Sequence, residues 1–305
     1  MTSGALNSGE LSEQLRAARV EGGLYQLPPR LLVRLSGKDA FRYLNGQVTR
    51  DLNRLSPGEA LPACLLTPKG KLCAPLLIRR EGEDLLIEAD PSLEESLLAR
   101  LDRYIVADEV TLSVEPAGEA LHCFGEASKT HPGIRVSRLG VPGIDLEPTE
   151  SHRLLDATIK EHHFDARVIE TLRIERGIPA WGKEMSEETL PPEVGLDRTH
   201  IDYDRGCYPG QETISRLKSI GRVRRLLHTL RSSPGAPLHP GMRVLDAEKK
   251  DLGEITSAAE QWDSGSWVAL ALLPRETTGP LFVLDPSVPL TEETTPISIA
   301  EIHGS

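Results

Sequence analysis

Cysteine is scarce in this chain: four among 305 residues, at positions 64, 73, 123 and 207. No two form a CxxC pair, and their spacing fits neither a zinc nor an iron–sulfur ligand set, so no metal ligand is assigned. So few thiols over this length suggest a reducing compartment rather than a disulfide-stapled scaffold. Long apolar runs are also missing, and none approaches the ~20 residues that span a bilayer. Residues 1–23 have no signal-peptide core and carry Glu10, Glu13 and Glu21, which excludes a secretory or transit peptide and leaves a flexible leader as the expectation. GxGxxG, HExxH and GxSxG are all absent. Gly177–Glu184 comes near a P-loop, but Glu184 stands where the magnesium-binding hydroxyl must be and no strand leads into the segment. A net charge of −11 argues against wrapping a nucleic-acid duplex or coating an anionic membrane as the main task. The expectation is a soluble, cytoplasmic protein.

What is present points to an α+β chain of two or three modules. With 39% hydrophobic residues it can bury a core. Residues 31–35 read as a strand, and Ser36 with Asp39 as the cap of a helix bearing Phe41, Leu44 and Val48. Segments 60–67, 71–79 and 85–88 read as strands, with Pro68-Lys69-Gly70 as the turn between the first two. Asp90-Pro91 opens a helix striped by Leu93, Leu97, Leu98 and Leu101, and 110–114 follows as a strand. Asp165 starts a helix with Val168, Ile169 and Leu172 inward and Gly177 as its stop. Segments 223–231, 242–246, 252–258 and 267–273 are short, β-like and separated by Pro/Gly turns. This predicts an α+β region over 24–221 and a small all-β barrel over 222–305.

Arg205-Gly206-Cys207-Tyr208-Pro209-Gly210-Gln211-Glu212 is the most informative stretch. Pro209-Gly210 suits the centre of a type II turn, and glycines at 206 and 210 permit backbone angles that other residues avoid. Cys207, beside Arg205 and ahead of a helical segment, sits where a thiolate would be stabilised; a small buried hydrophobe is the competing reading. From Thr213 to Leu245 there are seven basic residues, among them Arg216, Arg222 and Arg224, and no acidic one. The rest of the chain holds 28 basic against 46 acidic residues. Such a stretch suits an anionic ligand or, equally, a solvated strand face. Around Trp181, Glu184, Glu187 and Glu188 an indole meets clustered carboxylates, which a flat heteroaromatic ring with adjacent N–H donors would fit. His152, His162 and His163 read as solvated side chains rather than metal ligands.

Arg205–Glu212 resembles the K-G-C-[YF]-x-G-Q-E signature of the YgfZ family, folate-binding relatives of the glycine-cleavage T-protein that support iron–sulfur cluster assembly or repair. Gly206, Cys207, Tyr208, Gly210, Gln211 and Glu212 coincide, and Arg205 replaces lysine with its charge kept. Arg34–Phe41, Leu172–Gly177, Trp181–Leu196 and Leu252–Ser257 resemble further family segments, so that the likeness spans roughly 30–275. The resemblance implies a GcvT-like multi-domain folate-binding fold with a C-terminal all-β barrel. It also implies tetrahydrofolate or a derivative as cofactor, a polyglutamylated one included, and iron–sulfur client or assembly proteins as partners. Trp181 takes a pterin-contacting aromatic position and Glu187 a pterin-binding glutamate position. Arg216, Arg222 and Arg224 become candidates for the glutamyl tail, and Cys207 the acting thiol. In the aminomethyltransferases the strand after the Pro-Lys-Gly-type turn carries an acidic pair; Ala74 and Pro75 stand there, and neither can move a proton. The alternative, a folate-dependent aminomethyltransferase, would need another acid, and Asp51 is the one considered.

Overall fold

The computed structural model describes residues 6–129, 131–146, 163–285 and 297–304. The stretch expected as a flexible leader instead carries α1 (Ser8–Val20). A reciprocal cap starts it: the Asn7 side chain accepts from the Gly9 and Glu10 amides, and Glu10 accepts from the Asn7 amide. Its buried stripe, Leu11, Leu15 and Ala18, packs with Val168 and Leu172 of α4 (Ala166–Glu175). The cap at Asn7 and the apolar stripe, not the missing signal sequence, decide the structure of this stretch.

Five strands form one antiparallel sheet: β2 (Leu31–Ser36), β3 (Leu61–Leu66), β4 (Leu72–Glu81), β5 (Asp84–Ala89) and β6 (Thr111–Glu115), in the order β3-β4-β5-β2-β6. Along β4, residues 72, 74, 76 and 78 are buried while 73, 75 and 77 are half-buried, the period of two that one core face demands. Pro75 lies outside the β4–β5 ladder, which runs from Leu77 to Glu81, so its missing N–H breaks no bond there. The helices α2 (Ala40–Gln47) and α3 (Glu94–Asp102) contribute Leu44, Leu97 and Leu101 to this core. Ser36 does not cap α2; it ends β2, and the cap position falls to Asp39, whose side chain bonds no amide of the helix. That carboxylate accepts from the Glu109 amide at 2.9 Å, because Gly37, at φ +112°, brings the backbone against Glu109.

A second sheet pairs β1 (Gly22–Gln26), β7 (Leu121–Gly125), β8 (Ile134–Val136) and β9 (Gly143–Leu146) in the order β1-β7-β9-β8. One buried network links the two sheets. Asp145 on β9 meets His122 at 2.8 Å and Arg138, and Arg138 reaches Glu88 on β5 at 2.6 Å. Burial alone would raise the Asp145 carboxyl, but hydrogen bonds from Arg138 and His122 outweigh it and hold it at about 2. A carboxyl depressed on folding stabilises above its unfolded pKa, and that stability is lost as pH falls through the folded one. Acidification from pH 5 toward 2 is therefore expected to remove about 2 kcal/mol through this one group. Denaturant unfolding across that range, with Asp145→Asn as comparison, checks this; an equally steep loss in the variant would contradict it.

The C-terminal strands β10 (Arg225–Ser232), β11 (Arg243–Leu245), β12 (Asp251–Gln261), β13 (Ser266–Pro274), β14 (Leu281–Leu284) and β15 (Ile297–Gly304) form a barrel in the order β10-β13-β12-β11-β14-β15. Pairing of Thr229 with His303 and Leu230 with Ile302 closes it. The barrel rests on α4: the Thr171 hydroxyl donates to the Glu260 carbonyl at 3.2 Å. Among the described residues no helix is long and apolar enough to cross a membrane.

Candidate functional site

The eight-residue motif forms the turn into α5 (Gln211–Ser219). Gly210 sits at φ +85°, ψ −2°, and the Gln211 amide donates to the Tyr208 carbonyl at 3.2 Å, which are the marks of the expected type II turn. Gly210 is needed twice over, since a Cβ there would lie 2.5 Å from the Thr67 carbonyl oxygen. Across from it Gly70, at φ +80°, leaves room for Thr213, whose side chain would be 3.0 Å from a Cβ. The 67–70 turn and the motif turn thus fit together through paired glycines. Gly206 differs from the expectation: it is not left-handed, and a Cβ would meet nothing within 4 Å. Tyr208 is buried beside Cys64, Leu66 and Ile214, and burial pushes its phenol up to about 12. Gln211 donates to the Arg205 carbonyl at 3.3 Å, Glu212 is exposed, and so is Cys207. Exposure removes the buried-hydrophobe reading of this thiol.

Arg205 acts differently from the charge partner that its neighbourhood to Cys207 suggested. Its guanidinium donates to the carbonyls of Asn45 (2.6 Å), Val48 (2.8 Å) and Arg50 (2.5 Å), and its Nε to Gly206 (3.0 Å). It pins the motif to the chain leaving α2. Asp202 ties the same two segments, accepting from the Asp51 amide at 2.9 Å and pairing with Arg50 at 3.0 Å. Asp51 itself caps a short turn by accepting from the Asn53 amide, and that bond heads the causes that hold its carboxyl below the usual range. Ala74 is 1% exposed within the sheet core, and Pro75 is half-buried, so this strand offers no acid at those positions.

Three of the resembling segments converge on a buried carboxylate, Glu184. It accepts from Arg173 (3.0 Å), the Ala180 amide (2.9 Å), Thr256 (2.8 Å) and Ser257 (2.5 Å). Arg173 also meets Glu170, the Ile178 carbonyl and Ser257. Burial pulls the Arg173 guanidinium down, and Glu170 and Glu184 more than offset it. The sequence reading placed Glu184 in the acidic loop without this role. An Arg and a Glu eleven residues apart, either side of a Gly-Ile-Pro turn, were the available signal.

The Glu184 bonds fix the loop that presents Trp181 and Glu187. These two line one cavity of about 670 Å³, shared with Leu93, Ser92 and Ser96 at the start of α3. Trp181 is half-buried and Glu187 exposed. Lys71 bonds Glu188, and the Leu72 amide donates to the Thr189 carbonyl at 2.9 Å, so β4 runs alongside the loop. The sequence reading missed Cys73 on this strand. Burial raises its thiol, Arg100 lowers it, and the Glu187 charge raises it. The three arginines are not brought here. Arg222 lines a separate cavity, and Arg216 and Arg224 are exposed and line neither. His152 and His162 lie outside the described residues; His163 is half-buried and bridges to Leu24.

The fold is that of the aminomethyltransferases of the glycine cleavage system. The solved aminomethyltransferase T from Bartonella henselae superposes with a TM-score of 0.76 over 95% of this chain and 87% of that one, at 16% identity. In sequence the chain is similar to the tRNA-modifying protein YgfZ of Yersinia pseudotuberculosis, 25% identical over 268 residues, covering 79% of this chain and 81% of that protein. It is also similar to an aminomethyltransferase of Rubrobacter xylanophilus, 27% identical over 315 aligned positions, covering 92% and 84%. No family model matches the chain.

Proposed function

We propose that this protein is a tetrahydrofolate-binding accessory factor for iron–sulfur cluster assembly or repair, acting in the cytoplasm, with Cys207 as its working thiol. The observation that carries the folate part is the single cavity shared by Trp181 and Glu187. Its size suits a small-molecule ligand, and it joins an aromatic face to a carboxylate that can accept from two adjacent N–H donors. Folate would supply a carrier for one-carbon groups; the chain's own part is to stack, orient and hydrogen-bond the ring. The exposure of Cys207 on a turn held by Arg205 and the two facing glycines supports contact with a partner protein or its cluster.

Calorimetric titration with tetrahydrofolate is expected to show binding that Glu187→Ala weakens by about tenfold or more, the loss of its charge-assisted hydrogen bonds to the ring. Cys207→Ser should leave that affinity and the melting temperature unchanged while abolishing support of iron–sulfur enzymes in cells. No folate binding by the parent protein would remove the first part of the reading; full cellular activity of Cys207→Ser would remove the second.

The alternative, aminomethyl transfer, is supported by the likeness to aminomethyltransferases. Against it stand the core position of Ala74 and the structural duty of Asp51. Turnover of an aminomethyl-lipoyl substrate would establish it instead.

A further inference from the structure

A cavity of about 470 Å³ opens between the 192–198 segment, the end of α5 and the start of the barrel. Arg198, Lys218, Arg222 and Arg275 line it, against a single carboxylate, Asp197. These cations come from four separate places: a short 3-10 turn, the last turn of α5, the link into β10 and the loop after β13.

Several arginines elsewhere are neutralised by carboxylates within the protein, although others, Arg100, Arg176 and Arg205 among them, meet carbonyls, amides or rings instead. Arg34 meets three carboxylates, Arg138 two and Arg243 two. None of the four cavity cations has a carboxylate at ion-pair distance among the described residues, although the charge of Lys218 is felt by Asp204. Lys218 rests 3.5 Å from the Tyr203 ring centre, a contact that fixes the ammonium without cancelling its charge. The negative end of α5 accounts for Lys218 but not for the other three. Four cations gathered around one hollow against one carboxylate, in a chain of net charge −11, mark a place where an external anion would complete the balance.

We propose that this cavity binds a compact polyphosphate group, of the kind borne by a nucleoside di- or triphosphate. Three of the four cations are arginines, whose planar forks suit phosphate oxygens, and the hollow has small-ligand dimensions. The site is separate from the Trp181–Glu187 cavity and does not depend on the folate reading.

Titration of the full chain with tripolyphosphate tests it. Saturable binding that weakens as salt is raised is expected. Arg198→Ala and Arg275→Ala should each weaken it by about tenfold, the loss of one charged hydrogen bond, while tetrahydrofolate affinity and melting temperature stay unchanged. ATP should compete with tripolyphosphate. Absence of binding, variants that bind like the parent, or citrate binding as tightly as tripolyphosphate would each overturn the assignment. So would a single-stranded RNA that binds where tripolyphosphate does not.

Discussion

Replacing Arg173 by alanine should destabilise the protein by about 3–5 kcal/mol, the range for removing one partner from a buried ion pair. The variant would strand Glu184, whose side chain is fully buried, and leave Glu170 and the Ser257 hydroxyl without their guanidinium. Thr256 and Ser257 would still donate to Glu184, but neither carries charge. Urea unfolding measures the loss. Arg173→Lys should recover part of it, because one ammonium cannot reach Glu170, Glu184, Ser257 and the Ile178 carbonyl together. A change in Arg173→Ala below about 1 kcal/mol, the scale of a surface pair, would show that the node carries no such weight.

Gly210→Ala should cost about 2–3 kcal/mol, combining a left-handed backbone angle with a steric clash. At 2.5 Å from the Thr67 carbonyl, the added methyl must push the two turns apart. The displacement would move Cys207, three residues away, so its alkylation rate should change along with the melting temperature. Gly206→Ala is the matched comparison. With an ordinary backbone angle and open space, it should stay within about 0.5 kcal/mol of the parent. Equal effects of the two substitutions would refute the assignment of strain to Gly210.

The strands of the first sheet were legible because alternation and turn residues coincide. Expected strands at 60–67, 71–79 and 85–88 are found at 61–66, 72–81 and 84–89. The Pro209-Gly210 turn was legible for the same local reason. Two kinds of feature were not. Local signals were misweighted where several competed: Ser36 looked like a cap, yet the close approach of Gly37 to Glu109 delayed the helix to Ala40. Contacts between distant segments left no local mark at all. Nothing near Arg205 announces that its donors reach Asn45, Val48 and Arg50. Likewise nothing near Arg222 announces that it faces a different hollow from Glu187. Sequence alone therefore did not show that Trp181 and Glu187 share one cavity, that Arg222 lines another, and that Cys207, Arg216 and Arg224 line neither.

Arg205 carries a consequence for how variants at this turn are ranked. By charge alone, exchange with lysine is neutral. By valence it is not: the guanidinium joins four carbonyls, three of them more than 150 positions earlier in the chain, and an ammonium has one nitrogen for the same task. A lysine here would keep the motif's spelling and loosen its mooring. Sequence-similarity scoring would count that exchange among the mildest in the segment, while the backbone that presents Cys207 would register it as a lost crosslink.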